Sequence, residues 1–334
     1  MSLLGNRITV LIAAWNNADV LSECLDSIQR YYPGVPTVLV DNGSAPPLPP
    51  YPNVTTVRSK CNLGFAGGNN LGLPYCKNEY VLLLNSDTRF NSSQTLQTLV
   101  TFLDTHPKVA LAQAKLALDE HRLDACGEFL TPWGVSYHHG YQQPDGAHAD
   151  HPFPVYAAKA ACALFRRSSL EDIGHQLFRD DYFCYGEDLE LAHRLWLAGY
   201  EVWFVPTDPV WHLEKATSAK LPSKTVWQHY LSNLLTTACD YWSWQSWKRL
   251  GAGLLLLLIG GALLKRVLPH RRKSKLSFVI RRPDTQWLPQ VYVPVRPGYL
   301  LACLRRTFQN TLYPLPPRIC AKRKKTQILN QTAK

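Results

Sequence analysis

Residues 81–88 read Val-Leu-Leu-Leu-Asn-Ser-Asp-Thr. An apolar run that ends in Asn85-Ser86-Asp87 suits a buried strand that delivers a carboxylate to its mouth. A carboxylate there suits a hard divalent cation bridging a diphosphate, the phosphates completing a site that one Asp holds weakly. His212, after the short apolar stretch Pro209-Val210-Trp211, is a candidate second ligand. Two other apolar runs end in the same way, ITVLIAA at Trp15-Asn16 and TVLV at Asp41-Asn42, and a glycine-rich stretch, NLGFAGGNN, lies at 62–70. Each polar end alone has an ordinary explanation, because Asp and Asn serve turns for backbone reasons. Together they point to a shared pocket. Glu187-Asp188 follow an aromatic-rich run, Tyr182-Phe183-Cys184-Tyr185. Carboxylates that open a helix are stabilised by its dipole. The functional alternative is a general base held against an apolar wall, where its pKa is tuned upward.

Elements of a definite kind must position these groups. The β-branched run Ile8 to Ala14 fits a strand buried on both faces. Val20, Leu21, Cys24, Leu25 and Ile28 recur at helical spacing over 19–31, with Asp19 as a candidate cap. Further strands are expected at Thr37 to Val40, Val54 to Arg58 and Tyr80 to Leu84, and further helices after the glycine-rich turn and over Gln94 to Asp104. Strand and helix alternate through the first hundred residues, which argues a doubly wound α/β sheet with its ligands beyond the carboxyl ends of the strands. Residues 131–154, rich in Pro, Gly, His and Asp, read as a loop. Leu189 to Ala198 reads as a helix stopped by Gly199, and Val202 to Val205 as a short strand.

Of the 334 residues, 46% are hydrophobic and 18% charged, so a large core is expected and global disorder is not. The formal net charge of +11 is uneven. Residues 265–334 hold 17 Lys/Arg and one acid, Asp284, against 19 Lys/Arg and 24 Asp/Glu in residues 1–264. The tail is the basic element, and anionic lipid or nucleic acid is its natural partner. Ahead of it, LGAGLLLLLIGGALL at 250–264 is uncharged, preceded by Trp242, Trp244 and Trp247 and closed by Lys265-Arg266. At roughly 22 Å of helix it is short of the about 20 residues that span a bilayer. Indoles before and cations after it favour a helix lying in or dipping into one leaflet. Nine cysteines without a CxxC pair, and an N-terminal stretch without a basic, apolar and cleavable leader, suit a cytosolic protein with reduced thiols.

The chain resembles the family 2 glycosyltransferases of GT-A fold, most closely their rhamnosyltransferase-like branch. The motifs are ITVLIAAWNN, VLVDNGS, NLGFAGGNN, YVLLLNSDT, FRDDYFCYGEDLELAHRLWLAGYEVWFVP and PVWHLEKATS, in that order from about residue 7 to 218. The resemblance implies a Rossmann-like, mostly parallel central sheet in residues 1–220. A helical, membrane-associating segment at 221–268 and a basic tail at 269–334 complete the expected organisation. The likeness further implies that Asp41 bonds the nucleotide base, that Ala13 and Trp15 line the base and ribose site, and that Asn69 and Asn70 stand near ribose and diphosphate. Asp87 would hold Mg²⁺ or Mn²⁺ with His212. Asn85, where many members carry Asp, would touch the donor, and Arg194 would face the diphosphate. Asp188 would be the base and Glu187 its support or an acceptor contact. A single base on the acceptor side implies one displacement, with inversion at the anomeric carbon.

The donor expected is dTDP-rhamnose or a UDP-sugar. The acceptor expected is a hydroxyl of a lipid-linked glycan at the inner face of a membrane, near which the apolar stretch and the basic tail would hold the pocket. Peripheral association with that anionic surface is expected, and nucleic acid is not: Trp287, Tyr292, Tyr299 and Phe308 form no recognisable stacking platform. Leu-Ala-His-Arg-Leu-Trp stands where processive synthases carry Gln-x-x-Arg-Trp, which favours transfer of one or a few sugars. A catalytically inactive binding module, or a transferase acting on protein or soluble glycan, is the alternative. A nucleotidyltransferase would need a basic phosphate-gripping loop, and AAWNNAD at 13–19 has neither Lys nor Arg.

Overall fold

The computed structural model describes residues 4–130, 136–146, 149–213, 229, 230, 232–234, 236 and 237. The segment 240–266 and the basic tail lie outside the described residues. Among those described, no helix is long and apolar enough to cross a membrane.

The strands are β1 (Ile8–Ala14), β2 (Thr37–Asp41), β3 (Val54–Arg58), β4 (Tyr80–Leu84), β5 (Thr88–Arg89), β6 (Val109–Gln113) and β7 (Leu116–Ala117). They continue with β8 (Leu123–Ala125), β9 (Glu128–Leu130), β10 (Ser136–His138), β11 (Phe153–Pro154), β12 (Cys162–Arg166), β13 (Glu201–Phe204) and β14 (Val210–His212). The helices between them are α1 (Ala18–Tyr31), α2 (Gly64–Gly72), α3 (Thr95–Thr105) and α4 (Glu187–Ala198). The main sheet has eight strands in the order β11-β13-β6-β12-β4-β1-β2-β3.

The strands at its centre are apolar on both faces because both faces are covered. On β1 and β4, Val10, Ile12, Leu82 and Leu84 pack with Leu21, Cys24, Leu25 and Ile28 of α1 and Leu96, Leu99 and Leu103 of α3. Leu11, Val81 and Leu83 point the other way, into a core shared with Ala66 of α2 and Leu189, Leu191 and Leu195 of α4. The result is a three-layer α/β/α unit whose mixed sheet is the expected GT-A architecture in its coarse form.

The sheet is less parallel than the alternation of strands and helices suggests. The pairs β1–β2, β1–β4, β2–β3 and β6–β13 are parallel, but β12 runs antiparallel between β4 and β6, and β11 antiparallel to β13. Hydrophobic periodicity reports burial, not strand direction, so CALFR reads the same either way. Residues 131–154 also hold more structure than a loop: β10 pairs with β9 and β11 closes one sheet edge. A second, four-stranded sheet, β5-β14-β7-β8, stands at the end of the first. Its strands have two or three residues each, too few to show a period.

Candidate active site

The parallel strands end on one edge, so Trp15 after β1, Asp41 closing β2 and Asn85 after β4 share it. The small sheet is built on the same edge. Asp87 immediately precedes β5, and β14 pairs antiparallel with β5 so that His212 lies opposite Thr88. That pairing brings the His212 imidazole Nε2 to 3.3 Å from Asp87 Oδ1. Asn85 Nδ2 is also 3.3 Å from Nε2. The other ring nitrogen, Nδ1, lies 2.7 Å from Asp124 Oδ2. Asp124, on β8, is fully buried and is held by the Lys159 ammonium at 2.7 and 2.8 Å. These cations and hydrogen bonds outweigh burial and hold the Asp124 carboxyl well below the usual carboxylate range. For His212, burial works toward a lower pKa, but the bonds to Asp124 and Asp87 win and raise it to about 9.

The second carboxyl pair sits in the first turn of α4. Glu187 is buried, and Asp188 is half-buried with its Oδ1 enclosed. Ala160 N–H donates to Asp188 Oδ2 at 3.2 Å. Glu187 Oε2 and Asp188 Oδ1 are buried without a hydrogen-bond partner. Burial, then the neighbouring charge of Asp188, pushes the Glu187 carboxyl far up; burial and then the charge of Glu128 raise Asp188 to about 7. Adjacent residues therefore bridge the two groups. Lys159 holds Asp124, which holds His212, and the next amide, Ala160, holds Asp188.

The remaining expected residues fall into two sets. Ala13 and Trp15 are half-buried at the edge. Asp41 is buried, and its carboxylate already accepts from Ser44 N at 2.9 Å, Leu48 N at 3.2 Å and the Arg58 guanidinium. The Asn69 amide donates to Phe65 O inside α2. Asn70 pins α2 to the segment before α4, donating to Phe178 O and Asp180 and accepting from Phe178 N. The expectation that Arg194 faces a diphosphate is corrected. Its side chain is 1% exposed, paired with Glu190 one turn earlier at 2.8 Å. The guanidinium also donates to the carbonyls of Ile173, Gln176 and Leu177. It organises the chain before α4 and presents no face to a ligand.

The residues that sequence reasoning misses are Asp124, Lys159 and Glu128. Lys159 carried a signal: it is the sole charge in the small, apolar run YAAKAACALF, and a buried ammonium needs a partner. Nothing in the sequence identified Asp124 as that partner.

Comparison with known proteins decides the family. Residues 6–229 match the family described as glycosyltransferase like family 2. The chain belongs to this family. It is 24% identical over 283 residues, 73% of this chain and 88% of the relative, to an N-acetylglucosaminyl-diphospho-decaprenol L-rhamnosyltransferase of Mycobacterium tuberculosis. It is 26% identical over 165 residues, 47% of this chain and 52% of the relative, to a low-salt glycan biosynthesis hexosyltransferase, Agl10, of Haloferax volcanii. The fold is similar to that of GalNAc-T7, solved with UDP, GalNAc and Mn²⁺, with a TM-score of 0.56 and 14% identity. That likeness covers 73% of this chain and 49% of GalNAc-T7, so the chain spans about half of that protein's length. This family 2 member is thus a glycosyltransferase, similar to an L-rhamnosyltransferase among its relatives.

The donor set at Asp87 fits a divalent cation. A carboxylate, the buried, unpartnered Asn85 Oδ1 and the His212 Nε2, once the cation has displaced the proton that its raised pKa otherwise keeps there, are ligands of the type Mg²⁺ or Mn²⁺ accepts. Among the described residues no group of three or more His, Cys, Asp or Glu could hold a metal, so a diphosphate would have to supply further ligands.

Proposed function

We propose that this glycosyltransferase is inverting and metal-dependent, and moves a sugar from dTDP-rhamnose or a UDP-sugar to a hydroxyl of a lipid-linked glycan acceptor. The single observation that carries the reading is the pair of enclosed carboxyls at 187–188, coupled through Lys159 and Ala160 to the Asp87–His212 pair. Asp188 takes the proton from the acceptor hydroxyl, and Glu187 stands beside it on the acceptor side. Ala13, Trp15, Asp41 and Asn69 form the base and ribose end, with Asn70 fixing the glycine-rich turn and Asn85 reaching toward the diphosphate. Asp87 and His212 would hold Mg²⁺ or Mn²⁺, which when bound offsets charge on the leaving diphosphate. One base and no assigned sugar-side nucleophile favour a single displacement.

The acceptor class is supported by the mycobacterial relative, whose named substrate is a diphospho-decaprenol. The apolar stretch at 250–264 and the basic tail suit peripheral attachment to the anionic inner face of a membrane, in surface-polysaccharide biosynthesis. A panel of nucleotide sugars assayed for binding and hydrolysis, with Mn²⁺ and with EDTA, tests the reading. One preferred donor that needs the metal is expected. No binding in either condition would return the chain to the inactive-module alternative.

A further inference from the structure

The family match ends at residue 229, yet the described residues just beyond it reach the catalytic turn. Asn233 is buried. Its Nδ2 donates to two successive carbonyls, Cys184 O at 3.0 Å and Tyr185 O at 2.7 Å. Tyr182 O–H donates in return to the Asn233 carbonyl at 2.8 Å and lies 2.6 Å from Thr237 Oγ1. Leu234 is buried in the core that contains Tyr182, Leu189 and Leu191. The His229 ring stacks on Phe183 with centroids 5.2 Å apart.

The turn so gripped is one that needs gripping. Tyr185 has φ 67° and Gly186 φ 87°, two successive left-handed residues directly before Glu187 and Asp188. A non-glycine residue in that region is strained and persists only where its surroundings hold it. Gly186 occupies the N-cap of α4, where no side chain caps the helix. The Asn233 amide does not cap the helix but ties down the turn ahead of it, through the carbonyls of Cys184 and Tyr185. A Cβ on Gly186 would stand 3.5 Å from that of Asn233, which shows how closely the two segments approach. On its other side the same loop meets the glycine-rich turn: a Cβ on Gly64 would fall 2.0 Å from Phe183 O.

We infer that Asn233 is a positioning residue for proton transfer: its amide fixes the Tyr185–Gly186 turn and thereby aims Asp188. The inference rests on the reading of Asp188 as the base. Asn233→Ala and Asn233→Asp in the full chain test it, the second keeping the shape while replacing the donor with an acceptor. Three quantities are read at a temperature below melting: turnover of dTDP-rhamnose on a short-chain GlcNAc-diphospho-polyprenol, dTDP affinity with Mn²⁺, and amide hydrogen exchange at 184–190. Turnover is expected to fall about tenfold or more, as misplacement of a catalytic group does. Affinity for dTDP stays within about twofold, the usual scatter around an untouched contact. Exchange at 184–190 quickens while that of β1 and β4 does not.

Unchanged turnover, unchanged exchange at 184–190, or an equal loss of dTDP affinity would overturn the inference. Should Asn233→Ala fail to fold, Asn233→Ser, which keeps one donor, is read by the same criteria. Asp188→Asn assayed alongside separates the two failures. Retained turnover in Asp188→Asn removes the base, whereas its loss beside fully active Asn233 variants removes only the latch.

Discussion

The two carboxylate groups of the site are built in opposite ways. Around Asp87 and Asp124 every charge has a counter-charge: His212 lies between the two carboxylates and Lys159 closes the chain. Around Glu187 and Asp188 there are two backbone amides, of Ala160 and of Glu187 itself, two orphaned oxygens and a third acid, Glu128, and the Lys159 charge, spent on Asp124, only partly offsets them. The first arrangement holds the Asp124 carboxyl well below the usual carboxylate range, and the second pushes carboxyl pKa values up. Environments that drive titratable groups apart mark different duties: a permanently charged half suits holding a cation and diphosphate, and a half poised near neutrality suits proton transfer.

The largest effect that would sharpen this contrast is at Asp188. Asp188→Asn should lower turnover by about 10²–10⁴-fold, the range of general-base catalysis. Steady-state kinetics checks this, and the wild-type rate should climb as pH rises through about 7, because only the ionised carboxylate accepts a proton. Asp124→Asn comes next. It leaves the His212 Nδ1 without its carboxylate, and Mn²⁺ affinity, followed by the paramagnetic resonance of the free ion, should weaken about 10–100-fold.

The smallest effect is on stability. The Glu187 carboxyl is raised above its unfolded value of about 4.3. The unfolded chain therefore releases that proton first, and stability is lost as pH rises above that value. Glu187→Gln should raise the melting temperature by about a few degrees at pH 8 and change it little at pH 4. An equal shift at both pH values would mean that the second half is not held by burial as described.

The same contrast explains what could be read from the chain. The central strands and the helices α1 to α4 were legible, because ITVLIAA, YVLLL and the helical spacing in 19–31 advertise burial on both faces or on one stripe. Asp87, His212, Glu187 and Asp188 stood out as polar groups at the ends of apolar runs. The partners that give them their chemistry did not. Asp124 lies on a three-residue strand of a sheet with no periodic signal, and its pairing with His212 spans 88 residues. Arg194 misled for a related reason. An Arg four residues after a Glu on a helix reads as a surface or ligand-facing cation, whereas here the pair is buried and satisfied by loop carbonyls. Long-range pairing decides such cases, and one sequence does not display it.

The most direct measurement is a calorimetric titration of the preferred nucleotide sugar, with Mn²⁺, into the wild-type protein, Asp188→Asn and Asp87→Asn. If the halves divide holding from proton transfer, Asp188→Asn binds the donor as the wild type does, and Asp87→Asn loses the metal-dependent part of the affinity. Equal weakening in both variants, or full metal-dependent affinity in Asp87→Asn, would contradict the division.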